Sequence, residues 1–220
     1  MNVSEAVARR ISVRAFLPDP VPRALIAEVL EKAARAPSGG NLQPWLVTVL
    51  EGPSMARFRE TMRARLAQGG PDPLEYPIYP EKLHEPYRTR RHRVGEQMYA
   101  LLGIPREDRA ARLRRLQANY DFFGAPAGLF VHVDRRMGAA QWADLGMFLQ
   151  TVMLLFVEAG YDTCAQEAWA WHHRTVDAFV GADPATMLFC GMAIGKRDPD
   201  SPVNRLRAER APLEEFARFL

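Results

Sequence analysis

Apolar residues recur three and four positions apart over most of the chain, which predicts amphipathic or buried helices. Short runs of apolar and β-branched residues between Gly, Pro or Asp predict strands in the remaining hydrophobic segments. The predicted helices are Val3–Arg10, Arg23–Ala36, Ser54–Gln68, Arg90–Leu102, Glu107–Phe122, Ala139–Ala159 and Leu213–Phe219, and the predicted strands are Trp45–Glu51, Gly128–Asp134, Thr163–Glu167 and Met187–Gly195. Few strands among many helices predict one sheet covered on both faces, within a single domain over residues 1–220.

The helix Ala139–Ala159 is apolar on nearly every side. Its apolar run is interrupted by Gln150 and Glu158 and is shorter than the ~20 residues of a membrane span, so we expect a buried helix and no membrane contact. A helix that is apolar all round must be covered all round. A second copy of the chain would provide that cover, which predicts a homodimer.

Charge and cysteine content narrow the class of protein. The chain has 29 basic and 26 acidic residues, a net charge of +3, which does not by itself imply a nucleic-acid partner. The cluster YRTRRHR, Tyr87–Arg93, either forms a solvated helix face or attracts an acidic ligand. Two cysteines, Cys164 and Cys190, match no metal spacing and no disulfide framework, and the N-terminus lacks an apolar signal region. We therefore expect a cytoplasmic protein without a metal site.

The segment 69–86, GGPDPLEYPIYPEKLHEP, contains five prolines, and regular structure cannot persist through it. Long irregular segments in compact domains are often lids over binding sites, although a passive surface loop has the same composition.

The segment APSGGNLQPW, Ala36–Trp45, connects a predicted helix to a predicted strand. Phosphate-binding glycine loops run from strand to helix, so this loop lacks the helix dipole that such sites use. Gly39 and Gly40 would let a flat ligand approach closely, and the amides of Asn41 and Gln43 suit a heteroaromatic edge. The alternative is a helix end followed by an ordinary turn.

Two basic segments are candidate anion sites. In ARRISVRAF, Arg10, Ser12 and Arg14 alternate, so an extended backbone would point them to one side, as a phosphate or a ribityl-like polyol requires. The C-terminal segment PVNRLRAERAPLEEF adds Arg205, Arg207 and Arg210, which could complete the site. Each segment could instead be a solvated basic stretch. The adjacent His172 and His173 are expected to cover a helix start rather than to bind metal.

Four motifs in order, RRISVRAF, ARAPSGGNLQPW, GYDTCAQEAW and CGMAIG…PVNRLRAERAPL, resemble the FMN-dependent nitroreductase family over essentially the whole chain. YPIYPEKLHEPYRTRRH resembles the Tyr- and Pro-rich insertion of the branch of nitrobenzoate and nitroaromatic reductases. The resemblance implies an α+β fold, a three-layer α/β/α sandwich with a central mixed sheet of four to five strands. It also implies an intertwined homodimer with two FMN sites at the interface, and a C-terminal extension, residues 197–220, that packs on the partner.

The resemblance also assigns residues. The FMN phosphate and ribityl chain would be bound by Arg10, Ser12, Arg14 and Arg210, and the flavin would be reached from the other subunit by Pro37, Ser38, Gly39 and Asn41. Ala165, Gln166, Glu167 and Ala168 would lie along the isoalloxazine, with a backbone donor to N5 near Glu167, and Asn119 would be a polar neighbour. Arg207 would replace a lysine that relatives carry where this chain has Ala208. Tyr76, Tyr79, His84 and Tyr87 would shape the acceptor site as lid residues.

The implied activity is reduction of small nitroaromatic or quinone-like acceptors by NADPH or NADH in a ping-pong cycle, with the flavin rather than a side chain as the reactive group. A reductive dehalogenase on the same fold is an alternative. Such relatives use a Glu, Tyr and Lys set from the lid, with no convincing equivalent among Glu75, Tyr76, Tyr79 and Lys82. A flavin-binding protein without turnover and a basic adaptor that contacts nucleic acid through RTRRHR are further alternatives.

Overall fold

The computed structural model describes all 220 residues, and its four strands form one sheet. The strands are β1 (Leu46–Glu51), β2 (Ala127–Asp134), β3 (Asp162–Gln166) and β4 (Thr186–Gly195), in the order β1-β2-β4-β3. All three pairings are antiparallel. The mixed character expected of the sheet is therefore confined to one isolated parallel bridge, between Ser12 and Thr163.

Seven α-helices surround the sheet. They are α1 (Val3–Arg9), α2 (Arg23–Ala33), α3 (Gly52–Ala67), α4 (Tyr87–Leu101), α5 (Arg109–Gln117), α6 (Ala139–Glu158) and α7 (His173–Val180). The helical spacing located all of them except α7, and His172 and His173, the residue before this helix and its first residue, lie at a helix start as expected. The prediction of a helix over Leu213–Phe219 was wrong, because only a single 3₁₀ turn, Leu213–Glu215, forms there. Phe216 and Phe219 are largely exposed, so this segment has no core against which a helix could pack.

Two helix ends also differ from the prediction. The helix expected to reach Phe122 ends at Gln117, and a 3₁₀ segment follows in which Phe122 and Phe123 have φ values of 50° and 55°. That backbone is strained for an aromatic residue, but it places the Phe122 side chain completely inside the core. Helix α2 ends at Ala33, before Pro37, which disfavours helical backbone in the residue that precedes it.

The sheet separates two hydrophobic layers. Because side chains alternate along a strand, Leu129 and Val131 of β2 face the layer covered by α2 and α6, whereas Phe130 faces the layer beneath α3. The second layer centres on the fully buried Trp169, whose ring lies against β4 at Gly191. A Cβ at Gly191 would overlap this ring, so the close contact requires glycine.

By length and composition, α6 is the one helix that could cross a bilayer. It is instead a core helix on one face: Leu145, Phe148 and Val152 are buried, and Asp144 is buried on the same helix. Met147, however, is 40% exposed, so the helix is not covered on every side within one chain. This uncovered side is consistent with the second copy that the sequence predicts.

The segment 69–86 contains no helix or strand, as expected, but its first half is tightly held. Asp72 accepts a hydrogen bond from the Arg174 backbone (3.1 Å), and its own N–H donates to the Trp171 carbonyl (2.8 Å). Tyr76 is buried, and its hydroxyl donates to the Phe189 carbonyl. Within one chain Tyr76, predicted as a lid residue, is therefore a core residue that anchors the segment.

Candidate active site

The N-terminal basic segment lies beside β3. The Val13 N–H donates to the Thr163 carbonyl at 3.1 Å, and Ser12 forms the parallel bridge with the same residue. This extended backbone turns Arg10, Ser12 and Arg14 to one side, and all three line a cavity of about 440 Å³, the arginine cavity. The alternation in the sequence therefore corresponds to a shared surface.

The C-terminal segment closes the arginine cavity. Arg207 and Arg210 line it together with Ala208, whereas Arg205 does not. The buried Asn204 joins the two ends of the chain, because its Oδ1 accepts from the Arg14 N–H (3.0 Å) and its Nδ2 donates to the Ala15 carbonyl (2.8 Å). Residues almost 200 positions apart thus form one wall.

Positive charge in the arginine cavity has no acidic partner. None of the lining arginines, Arg10, Arg14, Arg207 and Arg210, forms an ion pair. Burial, with the nearby charge of Arg210, lowers the pKa of Arg10. Such a group of guanidinium forks is stabilised by an anion that offers several oxygens, as a phosphate does.

Arg115, which sequence reasoning missed, contacts this group without lining the cavity. Its Nη2 donates to the Arg14 carbonyl at 3.1 Å, and burial followed by the charge of Arg14 lowers its pKa. Arg115 follows Arg114 on a polar helix, so nothing in the pattern distinguishes it from a surface arginine.

A second cavity of about 540 Å³, the apolar cavity, begins where β3 ends. It is lined by Ile78, Tyr79, Arg91, Leu116, Asn119, Gly146, Leu149, Met153, Ala165, Gln166, Glu167, Ala168, Trp171, Phe189 and Cys190. Five predicted residues, Asn119 and Ala165 to Ala168, are therefore brought together here. Trp171, Met153 and Phe189 are further wall residues that the sequence did not single out.

Gln166 at the wall of the apolar cavity forms a hydrogen bond within the protein, and burial changes the pKa of two further wall residues. The Gln166 side chain is buried, and its Nε2 donates to the Asn119 carbonyl at 2.8 Å. This bond fixes the end of β3 against the 3₁₀ segment that carries Asn119. Burial raises the pKa of the Cys190 thiol to about 12, so it remains protonated and offers no thiolate. Loss of hydration at the wall raises the pKa of the Glu167 carboxyl.

The two cavities lie along one strand. Thr163, beside the arginine cavity, and Gln166, in the apolar cavity, are three strand residues apart, or about 10 Å. A cationic end and a mostly apolar end at this separation suit a flat ring that carries a phosphate on a polar chain. The residues present therefore fit FMN.

The glycine loop reaches neither cavity in the same chain. Pro37, Ser38, Gly39 and Asn41 are absent from both linings. The loop is held against α6 instead, where the Gly39 N–H donates to Asp144 Oδ1 at 3.2 Å and to Oδ2 at 3.3 Å. Trp45, at the end of the loop, stacks on Phe148 with 4.7 Å between ring centroids.

Glycine is required within one chain at Gly40 rather than at Gly39. Gly40 has φ +59°, a conformation that side chains rarely adopt. A Cβ at Gly39 would meet only Asp144 Oδ2, at 4.0 Å, which is an ordinary contact. A close approach at Gly39 would have to come from a ligand or from another chain.

Of the predicted lid residues, Tyr79 alone lines the apolar cavity. The guanidinium of Arg91 lies over its ring, 4.3 Å from the centroid. The rings of His84 and Tyr87 contact each other edge to face, with 5.2 Å between their centroids. Neither residue lines the cavity, because His84 lies on the surface before α4 and Tyr87 lies at its start. The cavity of one chain thus contains neither of them.

The profile of the nitroreductase family matches residues 7–196, a range that includes Arg10 and Arg14, the glycine loop and the end of β3 that lines the apolar cavity. The chain belongs to the nitroreductase family. Over 97% of its length it is 38% identical to 4-nitrobenzoate reductase of Pseudomonas putida, of which the match covers 93%. The crystal structure of the FMN- and NADPH-dependent nitroreductase NfnB from Sphigopyxis sp. strain HMH is similar, with a TM-score of 0.96, 49% identity, and 100% and 99% of the two chains covered.

A second nitroreductase structure extends the likeness at lower identity. NfnB from Mycobacterium smegmatis, solved in complex with NADPH, has a TM-score of 0.92 and 30% identity, with each chain covered completely. The α+β, nitroreductase-like fold expected from the sequence is therefore confirmed for the single chain.

Proposed function

We propose that this nitroreductase is an FMN-dependent enzyme that uses NADPH or NADH to reduce nitroaromatic or quinone-like acceptors in a ping-pong cycle. The observation that carries the proposal is the pair of cavities along β3, one with four arginines that lack acidic partners and one that is mostly apolar. Relatives named for nitrobenzoate and nitrobenzene reduction support the acceptor class.

In this proposal Arg10, Arg14, Arg207 and Arg210 bind the phosphate, with Ser12 beside the ribityl chain. Residues Ala165 to Ala168 lie along the flavin ring, with a backbone donor near Glu167 and with Asn119 as a polar neighbour. FMN, when bound, supplies the chemistry by accepting a hydride from the nicotinamide and passing electrons to the acceptor. The arginines and backbone dipoles stabilise negative charge on the bound group without rearranging, since the fold holds them in place.

The site is completed by a second copy of the chain. The loop residues Pro37, Ser38, Gly39 and Asn41 reach the flavin of the partner, which explains why they contact neither cavity of their own chain. Exposed apolar residues support an interface here: Leu42 lies within the loop, Leu46 directly follows it, and Met147 lies on the uncovered side of α6. The homodimer therefore contains two FMN sites.

The acceptor is a small aromatic molecule, for which Tyr79, Trp171 and Phe189 provide aromatic walls. Arg91 adds a positive charge that forms no ion pair and lies over the Tyr79 ring, as binding of a nitro or carboxylate group requires. We place the enzyme in the cytoplasm, in keeping with two free, buried cysteines.

The alternatives are less well supported. A dehalogenating set from the lid would need Glu75 and Tyr76 in the apolar cavity, but Glu75 pairs with Arg135 and Tyr76 is buried against Phe189. A nucleic-acid adaptor would need several unpaired arginines on α4, but three of the four in RTRRHR form ion pairs, and Arg91 alone does not. The pairs are Arg88 with Glu85, Arg90 with Glu215 and Arg93 with Glu209.

Anaerobic titration tests the proposal. Purified protein should contain FMN, its visible absorption should bleach when NADPH or NADH is added, and the colour should return when 4-nitrobenzoate follows. Stoichiometric FMN that neither nucleotide bleaches would contradict an enzyme and favour a flavin-binding protein without turnover. Purification without pigment, with binding to nucleic acid that weakens steeply with salt, would favour the adaptor.

A further inference from the structure

One histidine and two carboxylates converge outside both cavities. Glu75, His173 and Asp177 each offer an atom within 4.8 Å of the others. His173 Nδ1 lies 3.4 Å from Glu75 Oε2 and 3.5 Å from Asp177 Oδ2. The His173 side chain is only 7% exposed, and both its Nδ1 and Glu75 Oε2 are buried without a hydrogen-bond partner.

The second polar atom of each residue is already engaged. His173 Nε2 lies 3.1 Å from the Pro73 carbonyl, which can only accept, so Nε2 carries the proton. Glu75 Oε1 accepts from Arg135 Nη1 at 2.6 Å. Asp177 Oδ1 lies 3.0 Å from Nε2 of the buried His132. Outer partners of this kind orient the ligands of metal sites, where a ligating histidine donates its other N–H to a backbone carbonyl.

The distances from His173 Nδ1 to the two carboxylate oxygens, 3.4 and 3.5 Å, are those of a small cation site, and all three atoms lie within 4.8 Å of one another. Metal bonds of about 2.1 Å in a tetrahedral arrangement separate the ligands by about 3.4 Å. In a neutral imidazole, Nδ1 directs a lone pair toward the two carboxylates, an unfavourable contact that a cation between them would reverse. One nitrogen and two oxygens suit zinc or a similar first-row divalent ion, whereas calcium takes six or more oxygens.

We propose that Glu75, His173 and Asp177 bind a divalent transition metal, with a water molecule as a fourth ligand. Glu75 and Asp177 are 18% and 24% exposed, which leaves a path for the ion and the water. The charge is favourable, because two carboxylates face the ion and Arg135 neutralises only part of their charge.

The metal would hold the segment 69–86 to the body of the protein. Glu75 belongs to that segment, whereas His173 and Asp177 belong to α7. The next residue, Tyr76, donates to the carbonyl of Phe189, which lines the apolar cavity. The ion would therefore fix one wall of that cavity from outside, as a structural site and without contact with the reacting groups.

Calorimetric titration of the chelator-treated, FMN-loaded protein with zinc chloride tests this site. We expect one zinc ion per chain and a zinc-dependent rise in the thermal midpoint. Glu75→Gln keeps an oxygen for Arg135 but removes the carboxylate charge, so zinc affinity should fall at least tenfold. Asp177→Asn should lower the zinc affinity in the same way, so one variant remains for the test if the other folds poorly. Glu81→Gln, at an exposed position of the same segment, is the matched control and should bind as the unaltered protein does.

Two results would overturn the proposal. Absence of saturable zinc binding would mean that these three side chains bind no ion. Binding that survives both Glu75→Gln and Asp177→Asn would place the ion elsewhere, such as at the exposed His84 or His92.

Discussion

The arginine cavity and the glycine loop are both rich in sequence signals, but one chain accounts for only the first. The cavity is lined by residues from both ends of the chain, and Asn204 connects these ends by hydrogen bonds to the backbone of Arg14 and Ala15. The loop is held by the hydrogen bonds to Asp144 and by the stacking of Trp45 on Phe148, but Pro37, Ser38, Gly39 and Asn41 line neither cavity. The proposed function assigns this loop to the flavin site of the partner chain.

The difference also separates two kinds of glycine. Gly40 is needed for the backbone of the loop itself, whereas Gly39 has space for a side chain within one chain. The proposed function therefore places the constraint on Gly39 in the dimer, and variants at these positions can test that assignment.

The largest expected effect comes from Gly39→Leu. The side chain should fit the isolated chain but occupy the space of the partner's flavin, so FMN content should fall to near zero with the fold intact. Flavin absorbance per chain and circular dichroism measure the two properties. Gly39→Ala, with a Cβ in ordinary contact, is the milder control, and a Leu variant that kept all its FMN would break the comparison.

Arg10→Ala should weaken FMN binding by about 1.5–3 kcal/mol, or about 10- to 150-fold, through loss of a charged hydrogen bond. Equilibrium titration of apoprotein with FMN provides the measurement. Arg9→Ala is the matched control, since Arg9 is exposed on the preceding turn and lines a different cavity. Unchanged FMN affinity for Arg10→Ala would remove Arg10 from the phosphate site.

Arg91→Gln tests whether the positive charge at the wall of the apolar cavity contributes to binding of the acceptor. We expect kcat/KM for 4-nitrobenzoate to fall about fivefold, since an exposed ion pair contributes up to about 1 kcal/mol. Steady-state rates with uncharged nitrobenzene serve as the control and should change little. An equal loss for both acceptors would assign Arg91 to packing on Tyr79 rather than to recognition of charge.

The smallest effect concerns His172, buried behind the apolar cavity against Tyr120. Burial, followed by the charge of Arg65, lowers its pKa, opposed by Asp72. The unfolded chain then binds more protons than the folded chain below about pH 6.5, so stability falls as the pH decreases through this range. His172→Gln removes this titration. Its thermal midpoint relative to the unaltered protein should rise between pH 7.5 and 5.5, and a constant difference would contradict the assignment.

Periodicity was sufficient to predict the strands and most helices, because long apolar patterns reflect burial against the sheet. It failed where tertiary packing outweighed local preference. The helix that the pattern would extend to Phe122 ends at Gln117, and Phe122 and Phe123 adopt left-handed backbone with their side chains in the core. The Leu213–Phe219 pattern is helical but has nothing to pack against, and α7 is too short to give a clear signal.

The sequence predicted only part of the candidate site, because local patterns do not show which distant segments meet. Alternation placed Arg10, Ser12 and Arg14 on one surface, but their meeting with Arg207 and Arg210 depends on the path of the whole chain. Arg115 and Arg91 gave no signal, because an arginine on a polar helix looks the same whether it faces solvent or a cavity. The burial of Tyr76 was hidden by the proline-rich composition around it.

A heterodimer tests most directly whether two chains share each flavin site. Arg10→Ala/Arg210→Ala and Gly39→Leu chains, coexpressed with different tags and purified as the mixed dimer, would place both defects in one site and leave the other site unaltered. Our account predicts about one FMN per mixed dimer, although each homodimeric variant binds little. A mixed dimer as empty as its parents would mean that the loop serves its own chain, and would contradict the account.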